Sequence, residues 1–328
     1  MTTPHRRDPY SPYRQTLLTP ERVRELSRLR PMRVIGDTLL CWGTIVAAWV
    51  VAARWPVWWV VLLMLPVIGS RYYALFIIGH DGMHRRLFRR RAQNDWWNDL
   101  FCFGPIGAIT HINNRNHLRH HQYLATEFDP DRHKHACFNK ADGLELIAFL
   151  SGLAGFVRSA RNVFAPPPVA GRTSDEETPG GYTVRDMFVL GGIQAALIGG
   201  LSLGIGWWAY PVLWLVPVYC FSYLADNFRS WADHSFPEAD QVADEHRLVT
   251  YLSNPAERWF LSPMNMNYHS AHHLWPSIPY YNLPVADTEI RSLPAARGME
   301  WRRSYLGYLA RYWLALPLEV CRVKPAAR

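Results

Sequence analysis

Cysteine is scarce and unpatterned. The five cysteines (Cys41, Cys102, Cys137, Cys220, Cys321) form no C-x-x-C pair. That excludes a thiolate zinc site, an iron–sulfur cluster and a disulfide framework, and leaves packing roles. No Gly-x-Gly-x-x-Gly follows a strand-like run, so no nicotinamide or flavin module is evident. No fused haem domain is recognisable. No short apolar segment with a small-residue cleavage site precedes the first long apolar run, so the N-terminus does not read as a secretory signal. Charge is missing altogether from Met187 to Ala225, and between Thr38 and Ser70 it is limited to Arg54.

What is present fills those uncharged stretches. Hydrophobic residues make up 49% of the 328, yet the mean hydropathy is only -0.13, so the apolar residues are concentrated in blocks. Each block is long enough for two helical crossings at about 20 residues each. The first divides at "AARWPVWW" and the second at "GIGWWAYP" (Gly204 to Pro211). Trp55, Trp58 and Trp59 flank one turn, and Trp207, Trp208 and Tyr210 the other, as expected at a membrane–water interface. Two such stretches back to back argue against a soluble protein with apolar core helices.

Arginine sets the expected orientation. Eight arginines lie in residues 1–34 and five between Arg85 and Arg91, while the two tight turns hold one and none. Positive segments stay cytoplasmic. Both termini and the long central segment are therefore expected in the cytoplasm, with the bilayer itself as the first partner. The net charge of +8 is then a topology signal and an attraction to anionic head groups. No motif supports nucleic-acid binding.

The chain reads as one all-α integral membrane domain over 1–328, with four transmembrane helices in two hairpins and a cytoplasmic helical cap. Its parts are a basic segment (1–34), hairpin one (35–79), a cytoplasmic segment (80–183), hairpin two (184–226) and a cytoplasmic C-terminal segment (227–328). An amphipathic helix is expected from Thr19 to Arg30, with Pro20 in its first turn. Arg71, in the second span, is expected near the inner interface, snorkelling to water. The short, Gly- and Pro-interrupted run 95–110 reads as interfacial or re-entrant. An apolar-periodic helix is expected from Gly143 to Val163, and "APPPVAGRTSDEETPGG" is a loop by composition.

Histidine carries the chemistry. Of 14 histidines, His80 and His84 are spaced i, i+4. His117, His120 and His121 are spaced i, i+3, i+4, and so are His269, His272 and His273. Such positions share one helix face and can aim several imidazoles at one point. Neutral imidazole is a good ligand for iron, copper, nickel and zinc. Eight imidazoles are too many for one ion, so two are expected. The predicted hairpins bring all three clusters to one side of the membrane, and His234, just past the last span, becomes a ninth candidate. His5, His133, His135 and His246 read as solvated surface, and His111 is left aside.

The boxes "HDGMH", "HLRHH" and "HSAHH" resemble those of the membrane fatty acid desaturase superfamily, which also includes carotenoid ketolases and hydroxylases. "FDPD" (Phe128 to Asp131) and "MNYHSAHHLWPSIPYYNLP" resemble bacterial members. The resemblance implies two iron ions held by His80, His84, His117, His120, His121, His269, His272 and His273, with His234 as the extra histidine. It implies O2 as co-substrate and oxidation of an unactivated C–H bond. Ser230 stands where acyl-CoA desaturases place an asparagine, and Asn267 is its candidate substitute. Asp81, Asp129, Asp131 and Asp233 are candidates for bonding the far ring nitrogens, which would fix the tautomer. The family further implies a small electron carrier, ferredoxin, with its reductase, and Arg85, Arg86, Arg89, Arg90 and Arg91 offer a basic docking face. The expected reaction is double-bond formation in a lipid acyl chain. Alternatives are a hydroxylase or ketolase acting as a monooxygenase on a carotenoid or other apolar substrate, and a desaturase of a small natural product. A histidine-rich metal transporter is the non-enzyme alternative; it would place ligands mid-span, where this chain has none. Trp96, Trp97, Trp231, Trp259 and Tyr268 are candidates for lining a substrate tunnel.

Overall fold

The structure is a computed structural model that describes residues 10–124, 129–131, 148, 150–151, 182–234 and 248–314. The expected Gly143–Val163 helix and the Pro-rich loop after it fall outside these residues, apart from three isolated positions. The helices are α1 (Ser11–Arg14), α2 (Pro20–Leu26), α3 (Pro31–Arg54), α4 (Trp58–Met83), α5 (Arg91–Trp97), α6 (Thr110–Tyr123), α7 (Val184–Gly204), α8 (Tyr223–His234), α9 (Pro255–Phe260), α10 (His269–Leu274), α11 (Leu283–Arg291) and α12 (Tyr305–Trp313).

Three of these, α3, α4 and α7, are long and apolar enough to cross a membrane. Their ends follow from local chemistry. Pro31 opens α3 at a position where its missing N–H costs nothing. Pro56 stops it, because the residue before a proline is pushed out of the helical region. Thr183 and Asp186 form a reciprocal capping box at the start of α7. The expected Thr19–Arg30 helix is shorter, Pro20–Leu26, capped by the Thr19 hydroxyl.

Beyond α7 the chain turns at Gly206, whose φ of 147° suits only glycine. Residues 209–234 then form one helical rod, widened into π turns at Pro211–Leu215 and Pro217–Ser222 before it settles into α8. Proline explains the widening. Pro217 has no N–H for the carbonyl of Leu213, four residues back. The Trp49 indole N–H donates to that carbonyl instead, at 3.1 Å. The rod packs tightly on α4. A Cβ on Gly69 would collide with Phe221 and come within 2.9 Å of the Pro217 carbonyl. The Ser222 hydroxyl donates to the Gly69 carbonyl at 2.8 Å. Trp42, Trp49, Tyr72 and Trp214 lock α3, α4 and the rod together, with Trp42 and Trp214 stacked at 5.7 Å.

The 95–110 run folds as the end of α5, a π turn (Asn98–Phe103) and a 3-10 turn (Gly104–Ile106) against α4. Its polar residues clamp the end of α4: the Asn98 amide donates to the Gly79 carbonyl (3.0 Å) and the Asn94 amide to the Gly82 carbonyl (2.8 Å). Arg71 is buried, not snorkelling. Its guanidinium lies 3.4 Å from the centre of the Trp259 ring and donates to the Trp259 carbonyl at 2.8 Å. A tryptophan from the C-terminal segment has replaced water as its partner.

The all-α expectation needs one correction. Val249–Tyr251 and Glu300–Arg302 pair as two short parallel strands, β1 and β2. The β-branched and aromatic residues of "VTY" fit such a ladder. Strand β1 is buried throughout and positions α10: the Asn267 amide donates to the Tyr251 carbonyl at 2.8 Å, and the Ser270 N–H reaches Thr250 Oγ1 at 3.4 Å.

Candidate metal centre

Four elements deliver nine imidazoles to one place. His80 lies in the last turn of α4 and His84 just past it, and the chain leaves the helix through Arg85 at a φ of 57°. His117, His120 and His121 ride on α6. Asp99 holds the start of that helix by accepting from the Thr110 N–H (2.8 Å) and hydroxyl (2.6 Å), and the Asn114 amide donates to the Met83 carbonyl. His234 ends the 209–234 rod. His269, His272 and His273 fill the single buried helix α10. Its exit is pinned by Asp81, whose carboxylate accepts from the Tyr280 backbone N–H at 2.7 Å.

The imidazoles sort into two adjoining groups. In the first, nitrogens of His80, His84, His117, His121 and His272 all lie within 4.8 Å of one another; in the second, so do those of His120, His234 and His273. His269 joins the second, its Nε2 lying 3.0 Å from His234 Nε2 and 2.9 Å from His273 Nε2. The groups touch where the His121 and His273 rings approach to 4.4 Å.

Hydrogen bonding alone does not satisfy this arrangement. Nε2 contacts run in a chain from His84 to His117 (2.8 Å), His117 to His121 (3.0 Å) and His121 to His272 (3.0 Å). A neutral ring nitrogen is either one donor or one acceptor. Even in an alternating donor–acceptor order these four atoms carry two protons for three contacts, so at least one contact lacks a hydrogen bond. Convergent lone pairs of this kind fit a metal ion in the middle.

Six of the rings are also held neutral. Desolvation, followed by neighbouring imidazoles, puts His117, His121, His269, His272 and His273 well below the ordinary 6.5. Burial, with Arg86 second, pushes His84 down to about 3. Neutral imidazole is the form that ligates.

The carboxylates divide. Asp129 accepts from His120 Nδ1 at 3.0 Å, the orientation that presents Nε2 to a metal. Asp131 turns back, its N–H on Asp129 Oδ1 at 2.8 Å. Asp233 pairs with Arg229 (2.7 Å) and the Tyr305 hydroxyl (3.1 Å); it lies 3.9 Å from His269 Nδ1, beyond hydrogen-bond reach. Asp81 and Asn267 touch no imidazole and brace backbone on either side of α10. Sequence reasoning missed Arg229, buried beside this centre with its Nη1 3.5 Å from His269 Nδ1. His111 lies apart, bonded to Asp186 at 2.9 Å. His5, His133, His135 and His246 are outside the described residues.

A cavity of about 190 Å³ opens onto His80, His117, His120, His234 and His269. None of the five aromatics expected to line a tunnel borders it. Trp231 packs on Tyr308, Trp259 on Arg71 and Trp96 on Arg185, because their large faces are taken up in joining elements.

A family model described as fatty acid desaturase matches residues 53–305, a span holding every one of these histidines. The chain belongs to the fatty acid desaturase family. Among curated desaturase relatives, dihydrorhizobitoxine desaturase of Bradyrhizobium elkanii is 26% identical over 302 residues, covering 84% of this chain and 81% of its own length. An sn-1 oleoyl-lipid 12-desaturase of Arthrospira platensis is 27% identical over 241 residues, 67% of this chain and 66% of its own. A beta-carotene ketolase of a Paracoccus strain is 23% identical over 266 residues, 77% of this chain and 93% of its own. The protein is thus a desaturase-type oxidoreductase carrying, among the described residues, three helices long enough to span a membrane and two histidine groups suited to metal.

Proposed function

We propose that the protein is an O2-dependent, non-haem di-iron desaturase that forms a double bond in an alkyl segment of its substrate, a lipid acyl chain being the first expectation. The adjoining groups of five and four imidazoles carry this reading. Nine imidazole nitrogen donors suit two ions, and a group of five exceeds the four that close a typical zinc site. Bound there, two irons would supply the O2 activation that an unreactive C–H bond requires. The chain does the rest. His80, His84, His117, His121 and His272 would hold one ion, and His120, His234, His269 and His273 the other. Asp129 keeps the proton of His120 on Nδ1. The α10 wall and the end of α4 keep bulk water from the centre.

The 209–234 rod serves as the fourth crossing, with the histidine layer at its cytoplasmic end. Two electrons come from a small acidic carrier such as ferredoxin, docking on the basic turn after α4. Arg89 and Arg90 are exposed there, whereas Arg85 and Arg91 are partly engaged by Asp95. The ketolase relative favours oxygen insertion as a second reading. Purified protein containing two irons per chain, with O2 uptake matched to loss of two hydrogens, is the expected result. Gain of one oxygen moves the assignment to the second reading. Zinc alone, or no O2 uptake with reduced ferredoxin, overturns both.

A further inference from the structure

Most residues lining the cavity beside the imidazoles are polar, where an all-alkyl substrate calls for an apolar wall. Only Phe76 and Met83 line it with apolar side chains. At about 190 Å³ it is also smaller than the usual drug-sized pocket. Three of its polar residues, Asp226, Arg229 and Ser230, come from the rod that ends in His234.

Arg229 is fully engaged. Its Nε donates to the Tyr73 hydroxyl (2.7 Å), one Nη to Asp233 (2.7 Å) and the other to Asp226 (3.5 Å). Asp226 and Ser230 are not. Both contacts to Asp226, from the Tyr73 hydroxyl at 3.3 Å and from Arg229 at 3.5 Å, are long and fall on Oδ1. Its Oδ2 has no partner among the described residues. Ser230 is 7% exposed and lines the cavity. Among the described residues its hydroxyl makes no hydrogen bond, not even the bond to the carbonyl four residues back that helical serines commonly form. Its oxygen opens to the cavity, where an arriving group can meet it.

Spacing turns these atoms into a ruler. Asp226, Ser230 and His234 are four residues apart in turn and share one helix face. At 1.5 Å per residue, Ser230 lies roughly 6 Å along the axis from His234, and Asp226 roughly 6 Å further. An extended chain advances roughly 1.2 Å per bond, so 6 Å corresponds to about five bonds.

We propose that Asp226 and Ser230 bind a hydroxyl or amino group of the substrate, and that the carbon oxidised lies about five to ten bonds from that group. The acceptor Oδ2 takes the donor hydrogen, and the Ser230 hydroxyl completes the pair. This rests on the imidazole groups being the reactive centre, and it narrows the substrate to a chain with a hydrogen-bond donor close to the reacting carbon. Such a group comes from a lipid whose polar head adjoins the chain or from a small metabolite.

The test is titration of the purified, iron-loaded protein with 1-hexanol, hexylamine and hexanoate. The two donor-bearing probes are expected to bind about tenfold more tightly than hexanoate, the scale of one hydrogen bond to a charged group. Asp226→Asn and Ser230→Ala should each erase most of that preference while iron content, measured separately, stays unchanged. Hexanoate binding as tightly as the donors, or a preference that survives in both variants, overturns the inference and leaves the iron reading standing. Loss of iron from the unmodified protein would instead sink the reading beneath it. Products from an expressing host then distinguish the sources. A new double bond about five to ten bonds from a hydroxyl or amine supports the proposal, in the lipid extract for a lipid and in the aqueous extract for a metabolite. A double bond far from any donor contradicts it.

Discussion

Helices α4 and α7 look alike in sequence and live differently. Both are long, apolar and able to cross a membrane, yet 61% of the most apolar stretch of α4 is buried inside the protein, against 6% for α7. Their glycines show why. Gly69, Gly79 and Gly82 of α4 each sit where an added Cβ would collide with a neighbour. Gly191, Gly192, Gly199, Gly200 and Gly204 of α7 meet nothing within 4 Å. Hydropathy records that both helices avoid water. It does not record what replaces water. For α4 the replacement is the rod, the α5 segment and α6, and its end carries His80. For α7, Met187, Phe188 and Leu203 stay exposed among the described residues, the surface that a lipid-facing helix presents.

The largest effects are expected at the imidazoles gathered around the end of α4. His272→Ala, in the group of five, and His120→Ala, in the other, should each abolish product while the protein still inserts. Metal analysis should find each variant short by about one ion; a full complement and undiminished turnover would break the two-group picture. Asp129→Asn leaves the imidazoles in place but loosens His120, so metal affinity should fall about 10–100-fold, read by competition with a chelator. Gly79→Leu drives a side chain into Phe103, whose ring lies 2.6 Å from the position of a Cβ, and into Asn98. A loss of about 1–3 kcal/mol is expected from overpacking, seen as a lower melting temperature in detergent. Gly192→Leu on α7 should change little. Equal losses at both sites would erase the contrast between the helices.

The smallest effect concerns the C-terminal segment alone. Asp287 is buried on α11, with Oδ1 accepting from the Trp301 indole N–H at 3.0 Å and Oδ2 unmet among the described residues. Burial pushes its carboxyl up to about 6, against the pull of the Trp301 bond. The folded state therefore binds the proton more tightly than the unfolded state, whose carboxyl titrates near 3.8. Its stabilising contribution is complete below that value and is lost as pH rises through about 6. Asp287→Asn should flatten the melting temperature between about pH 4 and 7 and recover about 1 kcal/mol at pH 7. An unchanged slope would remove Asp287 from the account.

The sequence made the chemistry more legible than the supports. Histidines at i, i+3 and i+4 declare a shared face by spacing alone, and the structure gathers all nine into two groups. The carboxylates were not legible, because Asp129, Asp81 and Asp233 differ only in which distant segment folds against them. Asp129 meets a ring nitrogen; Asp81 meets the backbone of Tyr280, 199 positions away. Strands β1 and β2 are three residues each and too short for an alternation signal. Asn94, Asn98 and Asp99 did leave a trace. Polar residues spaced four or five apart in an otherwise apolar run mark one buried side, and they clamp the end of α4 and the start of α6. The aromatic surplus misled because interhelical packing and a tunnel wall ask for the same residues.

The two wide turns in the 209–234 rod act as a phase shifter. Each residue of an α-helix advances the rotation by about 100°, so a local change of winding re-aims everything downstream. Pro211 and Pro217 anchor those turns ahead of Asp226, Ser230 and His234. Deleting a single residue between 211 and 222 would swing all three to a different azimuth without breaking the rod. Relatives or engineered variants that differ in length by one position in this stretch are therefore where a change in what the enzyme oxidises should first be sought.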